Sequence, residues 1–160
     1  MGQSNLGFDA GVFSWARPQE RTRGIKMPVE LSITTDRKIQ ALDITASCQS
    51  MIGGARNGIA VYNVMHTTAA LIVCENEPDL LEDIARVAES WLANMRPFQH
   101  GRYGAPNAEA HITSALTGTS LTLPIVDGKL LLGVWQSILL LELDGPRRRK
   151  LICAIIETPS

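Results

Sequence analysis

At 160 residues, with 45% hydrophobic and 19% charged side chains, the chain has the composition of one globular domain with a substantial core. A formal net charge of -1 supplies no field to draw nucleic acid or an anionic membrane surface, so neither is expected as a partner. Its cysteines, Cys48, Cys74 and Cys153, are odd in number and show no CxxC spacing, which points to reduced thiols and a cytoplasmic setting.

Residues 1–27 mix Gly, Ser, Pro and Arg without periodicity and read as a flexible N-terminal extension without a secretory signal pattern; residues 28–160 read as the folded domain. Val29 to Thr34 alternates apolar and polar like a half-buried strand, and Lys38 to Leu42 is a second candidate. Thr45 reads as the N-cap of a helix that Gly53-Gly54 ends. Two β-rich runs follow, Ile59 to Met65 and Ala69 to Cys74, which a hairpin would join through His66, Thr67 and Thr68.

The clearest helix opens with Pro78 at its first position and is expected to run to Arg96, before Pro97. Its apolar residues, Trp91 among them, form a stripe expected to pack on a sheet. A polar connection carrying His100 leads to Asn107, the N-cap expected for a helix that Gly118 terminates. His111, Ala108, Ile112 and Ala115 share one face of that helix, so His111 is placed on its packed side. Strands are then expected at Ser120 to Val126, Lys129 to Trp135, Ser137 to Leu143 and Lys150 to Ile156, with Asp127-Gly128 as a two-residue hairpin turn. The apolar stretch from Leu130 to Leu141 is too short to cross a bilayer. Helices set between antiparallel runs, without βαβ alternation, give an α+β class: a mostly antiparallel sheet packed with two or three helices in a single domain.

The chain has three histidines, His66, His100 and His111, each beside turn-forming polar residues. Two readings follow. They build one site, in which three neutral imidazoles and an open position would be the ligand set of a catalytic metal centre. Alternatively they are unrelated, two at the surface and one hydrogen-bonded in the core.

The runs His66-Thr67-Thr68-Ala69-Ala70, Asn107 to His111, Gly118 to Pro124 and Leu132-Gly133-Val134-Trp135-Gln136 closely resemble the YjbQ-like family, also called the secondary thiamine-phosphate synthase family. The resemblance covers about Val29 to Ile156 and includes all three histidines. It implies a compact α+β homotrimer with the shared residues near subunit interfaces. His66, His100 and His111 become the expected metal ligands, most simply for zinc. His66 and Glu75 become the catalytic candidates, with thiamine-phosphate synthesis from two phosphorylated precursors, as a main or secondary activity, the implied reaction. A metal-dependent hydrolase and a non-enzymatic metal- or ligand-binding protein are the alternatives. Thr67, Asn107, Ser120 and Gln136 are candidate substrate contacts, and Trp135 is expected in core or interface packing. Arg147 and Arg149, in a basic run after a Gly-Pro turn, are candidates for holding a phosphate by projecting to one face of a strand. One departure from the family pattern stands beside Glu75, where Glu75-Asn76-Glu77-Pro78 is one residue shorter than usual.

Overall fold

The run Ile138-Leu139-Leu140-Leu141 is apolar at every position because the strand that carries it is buried on both faces. In the computed structural model, which describes residues 25–102, 104 and 106–158, the chain order is β1 (Ile25–Thr34), β2 (Gln40–Asp43), α1 (Thr45–Met51), β3 (Gly58–Val64), β4 (Ala69–Cys74) and α2 (Pro78–Ser90). A short 3-10 turn (Ala93–Met95), α3 (Ala108–Thr117), β5 (Ser120–Val126), β6 (Lys129–Leu130), β7 (Ser137–Glu142) and β8 (Arg148–Glu157) follow. Positions 1–24 of the expected extension lie outside the described residues; β1 takes up its last three positions.

The strands form two antiparallel sheets, one of five strands in the order β1-β8-β3-β5-β6 and one of three in the order β2-β7-β4. One apolar cluster fills the space between them. Ala60, Tyr62, Val64, Leu151, Cys153 and Ile155 come from the larger sheet; Ala69, Leu71, Ile138 and Leu140 come from the smaller. A second cluster, with Ala70, Leu141 and Leu143 from the smaller sheet and its margin, packs against Ala88 of α2 and Ala110 of α3. Successive side chains of a strand point to opposite faces, so β7 feeds both clusters in turn.

Local chemistry explains the element ends. Glu77 caps α2 by accepting the backbone N–H groups of Asp79 (3.1 Å) and Leu80 (2.7 Å), with Pro78 at the first helical position. Asp127 (φ 50°) and Gly128 (φ 80°) form the two-residue turn between β5 and β6, whose left-handed conformations suit Asp and Gly.

Several expectations are corrected. β3 and β4 do not pair as a hairpin; they lie in different sheets, β3 beside β5 and β8, β4 beside β7. Helix α2 stops at Ser90, and Trp91 stands 50% exposed because the second apolar cluster needs only the Ala88 side of the helix. Thr45 is inside α1 rather than its cap, since Asp43 accepts its backbone N–H at 2.8 Å and its hydroxyl accepts from Ile138 N–H instead. On α3 the buried positions are Ala108, Ala110, Thr113 and Ser114, with Ala115 exposed. Strand β6 ends at Leu130, because Gly133 to Gln136 closes a turn held by Gln136 N–H to Gly133 O (3.0 Å) and Gly133 N–H to Gln136 Oε1 (2.8 Å).

Thr113 carries a buried hydroxyl with no hydrogen-bond partner among the described residues. An unsatisfied hydroxyl in an apolar setting is destabilising. Thr113→Val is therefore expected to raise unfolding free energy by about 1 kcal/mol in urea titrations; a clear loss would mean that the hydroxyl has a partner in solution.

Candidate functional site

Five parts of the chain converge at one end of the two sheets: the end of β3 with its link to β4, the start of α3, the link from α3 to β5, the turn from β7 to β8, and the start of β8. They enclose an open cleft of about 880 Å³, a size that suits a small-molecule ligand. His66, Thr67, Asn107, His111, Asp144 and the three arginines Arg147, Arg148 and Arg149 all contribute to its walls.

Beneath the cleft lies a buried ion pair between the sheets. Arg149 of β8 is 2% exposed and Glu142 of β7 is fully buried. Arg149 Nε donates to Glu142 Oε2 at 2.7 Å, and its Nη2 donates to Glu142 Oε1 and to the carbonyl and hydroxyl oxygens of Thr68, both at 3.0 Å. Glu142 also accepts the Thr35 hydroxyl (2.9 Å) and the backbone N–H groups of Leu143 (2.9 Å) and Asp144 (2.8 Å). Burial alone would raise this carboxyl, but the Arg149 guanidinium, the Asp144 N–H and the Thr35 hydroxyl outweigh it and hold Glu142 below the usual carboxylate range. Gly145 permits the turn above this pair: a Cβ there would stand 2.2 Å from Arg37 O and 2.8 Å from the Glu142 side chain.

His66 follows β3 and is half-buried. Its Nε2 accepts the backbone N–H of Lys150 at 2.8 Å, so the proton of the neutral ring is assigned to Nδ1. Burial, followed by the positive charge of Arg149, lowers its pKa, with Lys150 and Arg147 adding to that and Glu142 opposing it. The ring is therefore neutral near pH 7.

A second chain of hydrogen bonds crosses the cleft from the other side. Asp144 Oδ2 accepts Arg147 Nη2 at 2.7 Å and Asn107 Nδ2 at 3.0 Å. Burial would raise the Asp144 carboxyl, yet the Asn107 amide and the Arg147 guanidinium lower it overall, so it is an ionised acceptor. That requirement turns the Asn107 amide nitrogen toward Asp144 and its oxygen toward His100, whose Nε2 lies 3.2 Å away and must carry a hydrogen. His100 in turn meets His111 edge to face, with ring centroids 4.9 Å apart and planes at 73°. Asn107 thus makes no side-chain cap for α3, contrary to expectation, because its amide is spent between Asp144 and His100.

The profile of the UPF0047 YjbQ-like proteins matches residues 29–158. The chain belongs to the YjbQ-like family. A UPF0047 protein of Archaeoglobus fulgidus is 39% identical over 124 residues, covering 78% of this chain and 97% of that protein. One from Methanocaldococcus jannaschii is 40% identical over 135 residues, covering 82% and 96%. Among solved structures, a YbjQ-like protein of unknown function from Sulfolobus solfataricus superposes with a TM-score of 0.78 at 33% identity, covering 84% of this chain and 99% of its own. A hypothetical protein from Aeropyrum pernix gives 0.78 at 36% identity, covering 83% and 100%.

In this YjbQ-like chain the cleft gathers His66, His111, Thr67, Asn107, Arg147 and Arg149, and His100 joins through Asn107 and His111. Of the other expected site residues, Glu75 and Gln136 lie away from the cleft, and Ser120 stands at its rim beside the lining residues Asn63 and Thr119. Glu75 is exposed at the far end of β4, six residues beyond Ala69 at the cleft end. Ser120 donates to Asn63 Oδ1 at 2.7 Å on the outer face of the β3–β5 pair. Gln136 braces its own turn, which leaves Trp135 73% exposed rather than in this chain's core. Arg147 and Arg149 do not alternate along one strand. Arg147 precedes β8 and is bound to Asp144, whereas Arg149 is the buried partner of Glu142.

Three further residues, Asp144, Glu142 and Arg148, were not singled out by sequence reasoning. The two acids sit in a run that reads simply as the end of an apolar strand and a turn, and only the fold sets them against arginines. Among the described residues no group of three His, Cys, Asp or Glu side chains is placed to hold a metal ion. His66 does not fit a three-imidazole set within one chain, because Lys150 N–H occupies Nε2 and Nδ1 carries the proton.

Because the folded-state pKa of Glu142 is depressed, its contribution is complete above the unfolded-state value near 4.3 and is lost as pH falls through the folded value. Glu142→Gln leaves Arg149 buried beside a neutral partner and is expected to cost about 3 kcal/mol at pH 7. Below about pH 5 its stability should fall less steeply with acidification than that of the wild type. Urea titrations across pH 3 to 7 check both; parallel pH curves would refute the assignment.

Proposed function

We propose that the cleft binds and processes a phosphate-bearing small molecule, with guanidinium groups receiving the anion and the imidazoles serving the reacting end. The observation that carries this reading is the grouping of Arg147, Arg148 and Arg149 on the same walls as His66 and His111. Arg147 and Arg149 are already matched to Asp144 and Glu142, whereas Arg148 is exposed and forms no ion pair among the described residues. Arg148 is thus the cation with a free fork for an incoming phosphate. Imidazoles on the same walls are suited to hydrogen bonding and proton transfer.

Within this class, thiamine-phosphate synthesis, in which a pyrimidine diphosphate joins a thiazole phosphate and pyrophosphate leaves, is the reaction that the family resemblance favours. The cleft offers room for a ligand of that size and positive charge for a departing pyrophosphate. A homotrimer is part of the proposal. Val134 is 93% exposed and Trp135 73% exposed on a turn braced by Gln136, and an apolar pair displayed in this way is suited to burial against a second copy. The three free thiols accord with a cytoplasmic setting.

Calorimetric titration with inorganic phosphate and pyrophosphate at low ionic strength tests the reading. Binding should occur and weaken with salt, and Arg148→Ala should reduce affinity about tenfold, more than Arg147→Ala does. Absence of binding to either anion would overturn it.

A second reading rests on the 4.9 Å spacing of the His100 and His111 rings: a divalent ion, most simply zinc, bridging them with donors from a neighbouring copy. Metal analysis of purified protein would then find near-stoichiometric metal, falling several-fold in His111→Ala. Equal metal content in the two proteins would dismiss the ion.

A further inference from the structure

The hydrogen bond that excludes His66 from a ligand set also defines what the ring offers. Its donor, Lys150 N–H, belongs to a strand pinned on both sides: Ser32 pairs with Lys150 across β1, and Val64 pairs with Leu151 across β3. On the same strand, Lys150 O accepts Met65 N–H at 2.9 Å, so the residue just before His66 is tied to the peptide that fixes the imidazole. The donor cannot turn away without breaking the sheet ladder. Nε2 is therefore a permanent acceptor, and a proton placed there would confront an N–H group at 2.8 Å.

Arg149 reinforces this state. Its guanidinium is held under the cleft by Glu142 and Thr68, and it repels a second positive charge on the nearby ring. His66 thus has one proton, on the nitrogen left to a ligand, and no ready means of taking another.

We infer that His66 is a neutral hydrogen-bond donor that presents Nδ1–H to an oxyanion bound in the cleft, and is neither a metal ligand nor a general base. The inference rests on the anion reading above and assigns this ring's part in it. The ligand group it recognises is an oxygen carrying or developing negative charge, such as a non-bridging phosphate oxygen. A neutral donor of this kind stabilises such charge without first losing a proton to it. Proton transfer, where the reaction requires it, then falls to His100 or His111. In neutral His100, Asn107 assigns the hydrogen to Nε2 and leaves the Nδ1 lone pair available.

Two measurements on the full-length protein test this. Long-range ¹H–¹⁵N correlation spectra should show His66 as the neutral Nδ1–H tautomer from pH 6 to 8, with its Nδ1 resonance moving when inorganic phosphate is added. An Nε2–H tautomer or an imidazolium at pH 7 overturns the inference. In the second measurement, His66→Gln can keep an acceptor for Lys150 N–H but loses the donor at the Nδ1 position, whereas His66→Asn places an amide near that position. Phosphate affinity should therefore fall about tenfold in His66→Gln and recover to within about threefold of wild type in His66→Asn. Equal losses in two folded variants would show that the ring acts only by filling space. If phosphate moves Arg148 resonances but not those of His66, this inference fails while the anion reading stands; if it moves neither, both fail.

Discussion

The molecule depends on one buried ion pair. Glu142 ends β7 of the smaller sheet and Arg149 is the second residue of β8 in the larger one, so their bond ties the sheets together where the cleft begins. A charge pair withdrawn from water is tolerable only when nearly every remaining lone pair and proton is matched. Here Thr35, Thr68 and two backbone N–H groups complete the matching. The same pair shapes the chemistry above it: it fixes a positive charge under His66, and its Glu142 carboxylate organises the turn from which Asp144 reaches Arg147 and Asn107. Stability and site geometry therefore share one cause.

Above that floor, the two sides of the cleft differ in kind. On one side, a backbone amide sets the state of His66. On the other, a carboxylate and an amide side chain set that of His100. Two imidazoles that look alike in sequence are thereby used differently by their surroundings: Nε2 accepts in His66 and donates in His100. That difference is of the sort that divides a donor from an acceptor in one reaction.

Much of this architecture was legible from local chemistry. Pro78 marks the start of α2 and Gly118 the end of α3. Asp127-Gly128 marks its turn, and the bounds of β5 follow from alternation with flanking turn residues, because in each case one or two residues settle the backbone. Residues whose side chains have two competing employers were not legible. Asn107 could cap α3 or bridge Asp144 and His100, and it bridges. Gln136 could face a ligand or brace its own turn, and it braces. Trp91 continues the apolar period of α2, but the small residues Ala88 and Ala110 already close the helix layer, leaving the indole half outside. The grouping of His66 with His111 was suggested by their surroundings in sequence. The hydrogen-bond partners that orient His66 and His100 lie 84 and 7 residues away, which no local pattern discloses.

The position of β7 has a further consequence for how the chain comes apart. Ile138 and Leu140 belong to the cluster between the sheets, and Leu141 belongs to the cluster under the helices, so a single strand is the party wall of both compartments. Neither compartment can open widely without exposing a face of that strand. Loosening one strips support from the other, which couples helices and sheets into one cooperative unit rather than two independently melting layers.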